Sequence, residues 1–226
     1  MLQNYLKRNF LLICIASALV LSGTTLASCV DSGVITQKSE EVEMAANSIS
    51  SKSADKSVVE VDGVSFETLV SDSVLSVPQP GAETPVKFGV RITNKKQKPA
   101  RFARFGIIHP NLVTEEGRVI PLYGGTAGEK MPEESDFPLV MPGESVTFFL
   151  EGMLSWQNDK LVMGGTDGFG GFWYFRDLKP GQYKFQFIYQ YYDAVMQIYL
   201  PKEQILEGIW TGKLATPWVN INLVKT

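Results

Sequence analysis

The 226-residue chain contains one histidine and two cysteines, so few sets of its side chains could do catalytic or metal chemistry. His109 ends an apolar strand just before Pro110, and a Ser-His-Asp triad could in principle be built around it. The sequence has no Gly-x-Ser-x-Gly elbow, however, and a lone histidine at a strand end is usually structural. It also has too few cysteines and histidines for a typical zinc site. We therefore predict no catalytic residue, no metal ligand and no cofactor.

Acidic side chains are the other candidates for chemistry, because the chain has 24 of them. Two carboxylates facing each other across a cleft would be enough for a glycan hydrolase. Glu133, Glu134 and Asp136 form an acidic cluster that could offer oxygens to calcium together with Asp159 or Asp167. The spacing matches no known calcium loop. A solvated acidic loop is the favoured interpretation, and calcium binding stays open.

A glycine-rich stretch at residues 164–171 runs directly into a group of aromatic residues in the segment GGTDGFGGFWYF. It matches no phosphate-binding motif and is predicted to be a loop. Phe169, Phe172 and Trp173 form a candidate binding loop, because exposed aromatic rings offer stacking surfaces and binding hot spots. The alternative is that Trp173 belongs to the core. The strand spacing of Trp173 and Phe175 favours its burial.

The second cysteine, Cys29, follows a segment organised like a secretory signal. Lys7 and Arg8 come first, then an apolar stretch from Phe10 to Leu21, then small and polar residues. The apolar stretch is shorter than the roughly 20 residues of a spanning helix. The tetrad Leu26-Ala27-Ser28-Cys29 resembles the lipobox of bacterial lipoproteins. The alternative is an ordinary signal peptide with a chance cysteine.

The lipobox resemblance implies that residues 1–28 are a signal peptide and that Cys29 becomes the lipidated first residue of the mature chain. Diacylglycerol would be attached through a thioether and the new amino terminus acylated, since two or three chains give a stable membrane anchor. The implied location is the bacterial cell envelope. Val30 is not the aspartate that favours inner-membrane retention, which implies the outer membrane in a two-membrane cell.

The segment after the cysteine, residues 29–57, is rich in Ser, Lys and Glu and has no aromatic residue. Such a composition predicts a disordered tether. Loss of Lys7 and Arg8 with the signal leaves 24 acidic and 19 basic side chains. The chain has no basic patch either, so nucleic acid is disfavoured as a partner.

Residues 58–226 are predicted to form one domain of short strands separated by Gly, Pro and Asn turns. Val86, Phe88, Val90 and Ile92 alternate with polar residues or glycine, and a longer aromatic stripe runs from Tyr183 to Tyr191. This pattern predicts an all-β fold, an immunoglobulin-like antiparallel β-sandwich with long loop insertions. Within this domain Pro201 to Leu206 could form a turn or two of helix, and in the tether a short helix around Glu40 to Ala46 is the alternative to disorder.

The sequence LKPGQY, which leads into the aromatic stripe, resembles the tyrosine corner of immunoglobulin-like domains. In that motif a tyrosine near the start of the penultimate strand sends its hydroxyl back to the preceding backbone. Tyr183 is the residue in that position. Met141-Pro142-Gly143-Glu144 precedes an earlier strand in a similar way, and the alternative is two ordinary Pro-Gly turns.

The order of TNKKQKP, PGESVTFFL, LKPGQYKFQFIY and WTGKLATPWVNINLV resembles bacterial immunoglobulin-like domains attached to exported lipoproteins. Among these domains it is weakly similar to the bacterial intracellular proteinase inhibitor domain. The resemblance covers Val86 to Val224 and rests on strands and turns, so it bears on fold more than on function. It implies that loops such as Asn94 to Pro99 could enter a proteinase active site.

The sequence thus favours an exported lipoprotein that meets the membrane through its lipid anchor. We expect a non-enzymatic binding or structural module for a protein or an envelope polysaccharide. Two alternatives remain, a carboxylate-dependent glycan hydrolase and a proteinase inhibitor.

Overall fold

The computed structural model describes residues 58–104, 108–126, 130–199 and 202–225. The predicted signal peptide, Cys29 and the tether lie outside the described residues. The short 3-10 helix within them is Glu134–Asp136. The strands are β1 Val58–Val61, β2 Val64–Val70, β3 Val74–Val77, β4 Glu83–Asn94, β5 Ala100–Arg101, β6 Ile108–Thr114, β7 Val119–Ile120, β8 Tyr123–Thr126, β9 Leu139–Val140, β10 Ser145–Gln157, β11 Lys160–Thr166, β12 Gly171–Leu178, β13 Gly181–Tyr191, β14 Val195–Ile198, β15 Gln204–Glu207, β16 Gly212–Ala215 and β17 Val219–Lys225.

Two large sheets contain most of these strands. The first sheet has the order β1-β2-β4-β10-β11-β12-β8, and the second has the order β3-β17-β13-β6-β7, with β16 also paired to β13. Strands β14 and β15 form a separate pair, as do β5 and β9. The strand pairs are antiparallel except for β3 and β17, which run parallel. The chain passes from the first sheet at β2 to the second at β3 and back to the first at β4.

The inner faces of the two sheets pack on each other and form the core. Val86, Phe88, Val90 and Ile92 of β4 are all buried, as their alternation predicts. Phe88 stacks on Phe185 of the opposite sheet, with ring centroids 4.1 Å apart and planes 18° apart. Full burial of one such side chain stabilises the fold by about 1.5–3 kcal/mol. The predicted immunoglobulin-like antiparallel β-sandwich is confirmed.

Tyr183 lies near the start of β13, where the chain leaves the turn at Pro180 and Gly181. Its ring is buried, and its hydroxyl donates a hydrogen bond to the Lys179 carbonyl oxygen at 2.9 Å. The Lys179 backbone N–H donates to the same hydroxyl at 3.0 Å. The side chain therefore closes the turn back on itself with two hydrogen bonds, which is the geometry of a tyrosine corner.

The segment in which the sequence allows a helical turn is extended from Gln204 onward. Strand β15 pairs antiparallel with β14, so that Leu206 lies opposite Met196. Leu206 is buried at 3% exposure, whereas the preceding Ile205 is 65% exposed. Exposed and buried side chains thus alternate with the period of two that is typical of a strand. Burial of Leu206 in the core favours the strand over the helical turn. Among the described residues, no helix has the length and hydrophobicity needed to cross a bilayer.

Candidate functional site

A gap in the first sheet lies beside a concavity that involves the aromatic loop. Strand β10 pairs with β4 from Ser145 to Ser155, but with β11 only from Gly152 to Gln157. Strand β11 ends at Thr166, so the edge of β10 before Gly152 has no β11 partner. A cavity of about 320 Å³ lies beside this edge, and we call it the notch.

The walls of the notch are mainly apolar. Aromatic and aliphatic side chains supply most of the lining, namely Ile108, Pro110, Leu122, Tyr123, Phe149, Leu150, Phe169, Phe172 and Trp173. The remaining lining residues are Arg104, His109, Asp167 and the glycines Gly124 and Gly125. This combination of apolar walls and a few polar groups is typical of small-molecule sites, whose volumes begin near 300 Å³.

Phe149 and Phe172 are the exposed aromatic residues of the notch, at 42% and 44% exposure. Each ring lies over a glycine of the neighbouring strand. A Cβ added at Gly89 would lie 2.9 Å from the Phe149 ring, and one added at Gly125 would lie 2.9 Å from the Phe172 ring. The two glycines therefore leave the rings room to pack directly on the backbone, which limits their motion.

A row of rings fixes the orientation of Phe172 further. Tyr174 lies next to it, with centroids 6.3 Å apart and planes 14° apart. Tyr123 stacks on Tyr174 at 5.3 Å and 16°. The Arg176 guanidinium lies 4.1 Å above Tyr123 and donates to its hydroxyl at 3.0 Å. Phe172 is thus the end of a supported stack, and it already has its orientation before any ligand arrives.

Trp173 faces the opposite way from Phe172 and is buried at 5% exposure. It packs edge-on against Phe175, with centroids 6.1 Å apart. The backbone below it is formed by Gly152 and Gly165, which face each other across β10 and β11. A Cβ at Gly152 would lie 3.0 Å from Cζ2 of Trp173, so glycine provides space for the indole. The Trp173 Nε1 has no hydrogen-bond partner in the described part of the chain.

The glycine-rich loop beside the notch is held by Asp167. Its Oδ1 accepts hydrogen bonds from the backbone N–H of Phe169 at 2.8 Å and of Gly171 at 2.9 Å. Phe169 is buried at 8% exposure, and Arg104 and Lys130 approach its ring at 5.6 and 5.7 Å from the centroid. The loop is therefore a fixed structure, and Phe169 serves to hold it in place.

A shallow polar depression adjoins the notch and shares Arg104, Phe149 and Asp167 with it. Glu151 also lines the depression and forms an ion pair with Lys87 at 2.7 Å. The hydrogen bond from Lys87, helped by its charge, lowers the pKa of Glu151. Two carboxylates thus lie in one depression, but Glu151 is held in its ionised form and Asp167 binds backbone N–H groups.

His109 lies at the edge of the notch. Partial burial lowers the pKa of His109, and the charge of Lys213 lowers it further. The imidazole is therefore neutral at pH 7 and can offer one donor and one acceptor. Among the described residues, no three His, Cys, Asp or Glu side chains come together as a metal site would require.

The structure separates the three residues of the predicted binding loop. Phe172 is exposed at the notch, whereas Trp173 and Phe169 are buried beside it. Burial of Trp173 agrees with the strand spacing of Trp173 and Phe175. Sequence reasoning missed Phe149 and Tyr123, which reach the site from β10 and β8. Their only sequence signal is an aromatic residue on the outward side of an alternating strand.

The loop from Asn94 to Pro99, considered for proteinase inhibition, is tied to the domain. Asn94 is buried, and its Nδ2 donates to the carbonyl oxygens of Lys98 and Val140, each at 2.9 Å. Its Oδ1 accepts from the Lys96 N–H at 3.0 Å. Inhibition by this loop stays a prediction.

No family model matches the chain, and no curated protein does. One solved structure with some similarity is the Northeast Structural Genomics Consortium target SoR45, with 12% identity over 74% of this chain and 88% of that chain and a TM-score of 0.31. Another is ycdA of Bacillus subtilis, described as a candidate lipoprotein, with 13% identity over 67% of this chain and 38% of that chain and a TM-score of 0.27. Likeness at this level carries no argument about the function of this chain.

Proposed function

We propose that this protein is a non-enzymatic binding module that holds a polysaccharide of the bacterial cell envelope in the notch. The observation that carries the proposal is an open aromatic cavity of about 320 Å³ with Arg104 and Asp167 at its edge. Aromatic rings stack on the apolar faces of sugar rings, and planar charged groups bind pairs of hydroxyls. Both kinds of group are present here.

The shape of the site favours a sugar chain over a protein partner. Stable protein interfaces bury about 800 Å² on each partner and are broadly flat. The notch instead is an open cavity with the volume of a small-ligand site. Phe172 is fixed by the stack of Tyr174 and Tyr123, so binding would cost little ordering of the side chain.

The electrostatics favour binding over hydrolysis. A glycan hydrolase needs one carboxylic acid that keeps its proton near neutral pH. The pKa of Glu151 is shifted down by Lys87, which is the wrong direction for that role. The Oδ1 of Asp167 already binds two loop N–H groups.

The location of the module rests on Cys29, which precedes the described residues. A lipidated Cys29 followed by a polar tether would hold the domain close to the membrane, where envelope polysaccharides are concentrated. Anchoring at Cys29 is therefore part of the same proposal, and fractionation of a Cys29→Ser variant tests it.

The test is binding of the purified protein to a panel of bacterial envelope polysaccharides, measured by retention and by glycan array. We expect Phe172→Ala to weaken binding by at least about tenfold, the usual effect of removing a hot-spot ring. Tyr199→Ala is the matched control, because Tyr199 is 51% exposed and does not line the notch. Its affinity should be unchanged.

Three results would overturn the proposal. The first is the absence of binding to any glycan of the panel. The second is binding that Phe172→Ala and Tyr199→Ala affect equally. The third is release of reducing ends from a bound glycan that stops in Glu151→Gln, which would establish the hydrolase instead.

A further inference from the structure

The outer face of the second sheet is rich in amide side chains. Strand β13 turns Tyr183, Phe185, Phe187 and Tyr189 to the core, so the residues between them point outward. The outward positions of β6, β13 and β17 include five partly or fully exposed amides, namely Asn111, Gln182, Gln190, Asn220 and Asn222. We call this surface the amide face. None of these amides forms a side-chain hydrogen bond within the described residues, so each can offer donors and acceptors to a ligand.

The amide face also has positive charge that no carboxylate balances. Within the described residues, the strands of the second sheet contain lysines but no Asp or Glu. Lys184 of β13 and Lys213 of β16 lie on the face, and neither forms an ion pair in the described part of the chain. In the first sheet, by contrast, Lys87, Arg91 and Lys160 each pair with a carboxylate. The amide face therefore suits an anionic ligand.

The acidic residues nearest to this face in the sequence lie outside its strands. Glu115 follows the end of β6, and Asp193 follows the end of β13. The charge of Lys213 also acts on the neighbouring strands, because after partial burial it is the second cause that lowers the pKa of His109 on β6. The two lysines are distant in the sequence, so only the pairing of the strands brings them to one surface.

Trp218 gives the amide face an aromatic surface. It is 43% exposed and directly precedes β17, in which Ile221 and Leu223 are buried. The period of two therefore places Trp218 on the same side as Asn220. The residue before the Trp218-Pro217 pair is fixed, since Thr216 exchanges two hydrogen bonds with the backbone of Phe187, each at 2.9 Å. The indole is thus carried by an ordered segment, which lowers the cost of binding.

The lysines and the tryptophan lie in sequence along β13. Lys184 and Gln190 are six residues apart on this strand, and Lys213 lies opposite Gln190. At about 3.3 Å per residue, the two lysines are separated by roughly 20 Å along the strand. Trp218 lies between them, because Val219 is opposite Phe185 and the β16 residues begin further along β13. An extended polymer along β13 would therefore meet a cation, an aromatic ring and a second cation.

This set of groups favours an acidic polysaccharide over a protein partner. The centre of a protein interface is enriched in aromatic residues and depleted in charged ones, whereas here a single exposed tryptophan lies among amides and lysines. An amide can donate to one sugar hydroxyl and accept from another. An indole stacks on the apolar face of a sugar ring, and an ammonium group binds a carboxylate with a charge-assisted hydrogen bond.

We propose that the amide face is a second glycan site and that it binds a polysaccharide containing uronic acids. One sugar ring lies on Trp218, the amides bind hydroxyls, and Lys184 and Lys213 bind carboxylates on either side. None of these three residues lines the notch or its adjoining depression, so the site does not depend on the function proposed above. With both sites occupied, the domain would connect two glycan chains.

The test is isothermal titration of the purified protein with tetramers of galacturonate, mannuronate and glucuronate. The methyl ester of each tetramer is its neutral counterpart. At least one uronate should bind, at least about tenfold more tightly than its ester. Trp218→Ala should weaken this binding by at least about tenfold, as removal of a hot-spot ring does. Lys184→Gln and Lys213→Gln should each weaken it by about threefold, the effect of one exposed charge pair.

Two variants are matched controls. Lys160→Gln removes a lysine of the first sheet that pairs with Asp177, and Phe172→Ala removes the exposed ring of the notch. Both should leave the affinity for the uronate unchanged, and circular dichroism checks that every variant is folded.

Four results would overturn this inference. The first two are binding of none of the three uronates and equal binding of a uronate and its ester, and both leave polysaccharide binding in the notch standing. The third is binding lost in Phe172→Ala but not in Trp218→Ala, which would move the ligand to the notch. The fourth is equally tight binding of tetraglutamate, which would indicate an acidic protein segment as the partner.

Discussion

Removal of the Tyr183 hydroxyl measures how much one side chain contributes to closing the turn before β13. The hydroxyl takes part in two hydrogen bonds with Lys179, at 2.9 and 3.0 Å. Each such bond contributes about 0.5–1.5 kcal/mol net. Tyr183→Phe keeps the buried ring, so no large cavity is created. We expect the free energy of unfolding to fall by about 1–3 kcal/mol, towards the lower end because water can reach Lys179.

Urea denaturation followed by circular dichroism reads this change directly. If the free energy of unfolding falls by about 2 kcal/mol per molar urea, the midpoint urea concentration should fall by about 0.5–1.5 M while this slope stays constant. Tyr192→Phe is the matched control, because that residue is 67% exposed. Its midpoint should move by less than the equivalent of about 0.5 kcal/mol. If the two variants unfold at the same urea concentration, the two hydrogen bonds do not stabilise the fold and the tyrosine-corner argument is wrong.

Other changes test the core, the glycine pair and the anchor. Trp173→Ala should lower stability by about 3–5 kcal/mol in thermal unfolding, because it leaves a cavity above Gly152; a loss no larger than that of Phe172→Ala would contradict its burial. Gly165→Ala should lower the free energy of unfolding by about 1–3 kcal/mol in the same assay, because its Cβ would clash with the Glu151 carbonyl oxygen. An unchanged melting temperature would contradict this close approach. Cys29→Ser should move the protein out of the membrane fraction with an unchanged circular dichroism spectrum, and tight retention there would place the anchor elsewhere.

The strands that carry the core could be predicted because their signal is local. Val86 to Ile92 alternates strictly, and so does most of the stripe from Tyr183 to Tyr191. Both become central strands with a buried inner face. The extended segment at Gln204–Glu207 could not be predicted, because it depends on pairing with β14 and on the place that the core offers to Leu206.

The candidate site could be predicted only in part, for a related reason. The aromatic residues next to the glycines were visible in the sequence. Which of them is exposed depends on the side of the sheet that faces the core: Trp173 points to the core side and Phe172 to the other. The gap beside β10 depends on where β11 ends. The space for the indole depends on the register that places Gly152 opposite Gly165. The register between two strands cannot be predicted from the sequence of either strand alone.

The parallel pair of β3 and β17 has a consequence for the order in which the domain is completed. Strand β3 is made early and β17 late, and β17 lies between β3 and β13 in the second sheet. Until β17 is present, β13 lacks its neighbour on one side from Gly181 to Phe185, and the places of Ile221 and Leu223 in the core are empty. Contacts between such distant parts of a chain form slowly, on the order of milliseconds to seconds in β-sandwiches. A nascent chain therefore keeps its core open to solvent until β17 is synthesised, and this is the interval in which chaperones and proteases can reach it.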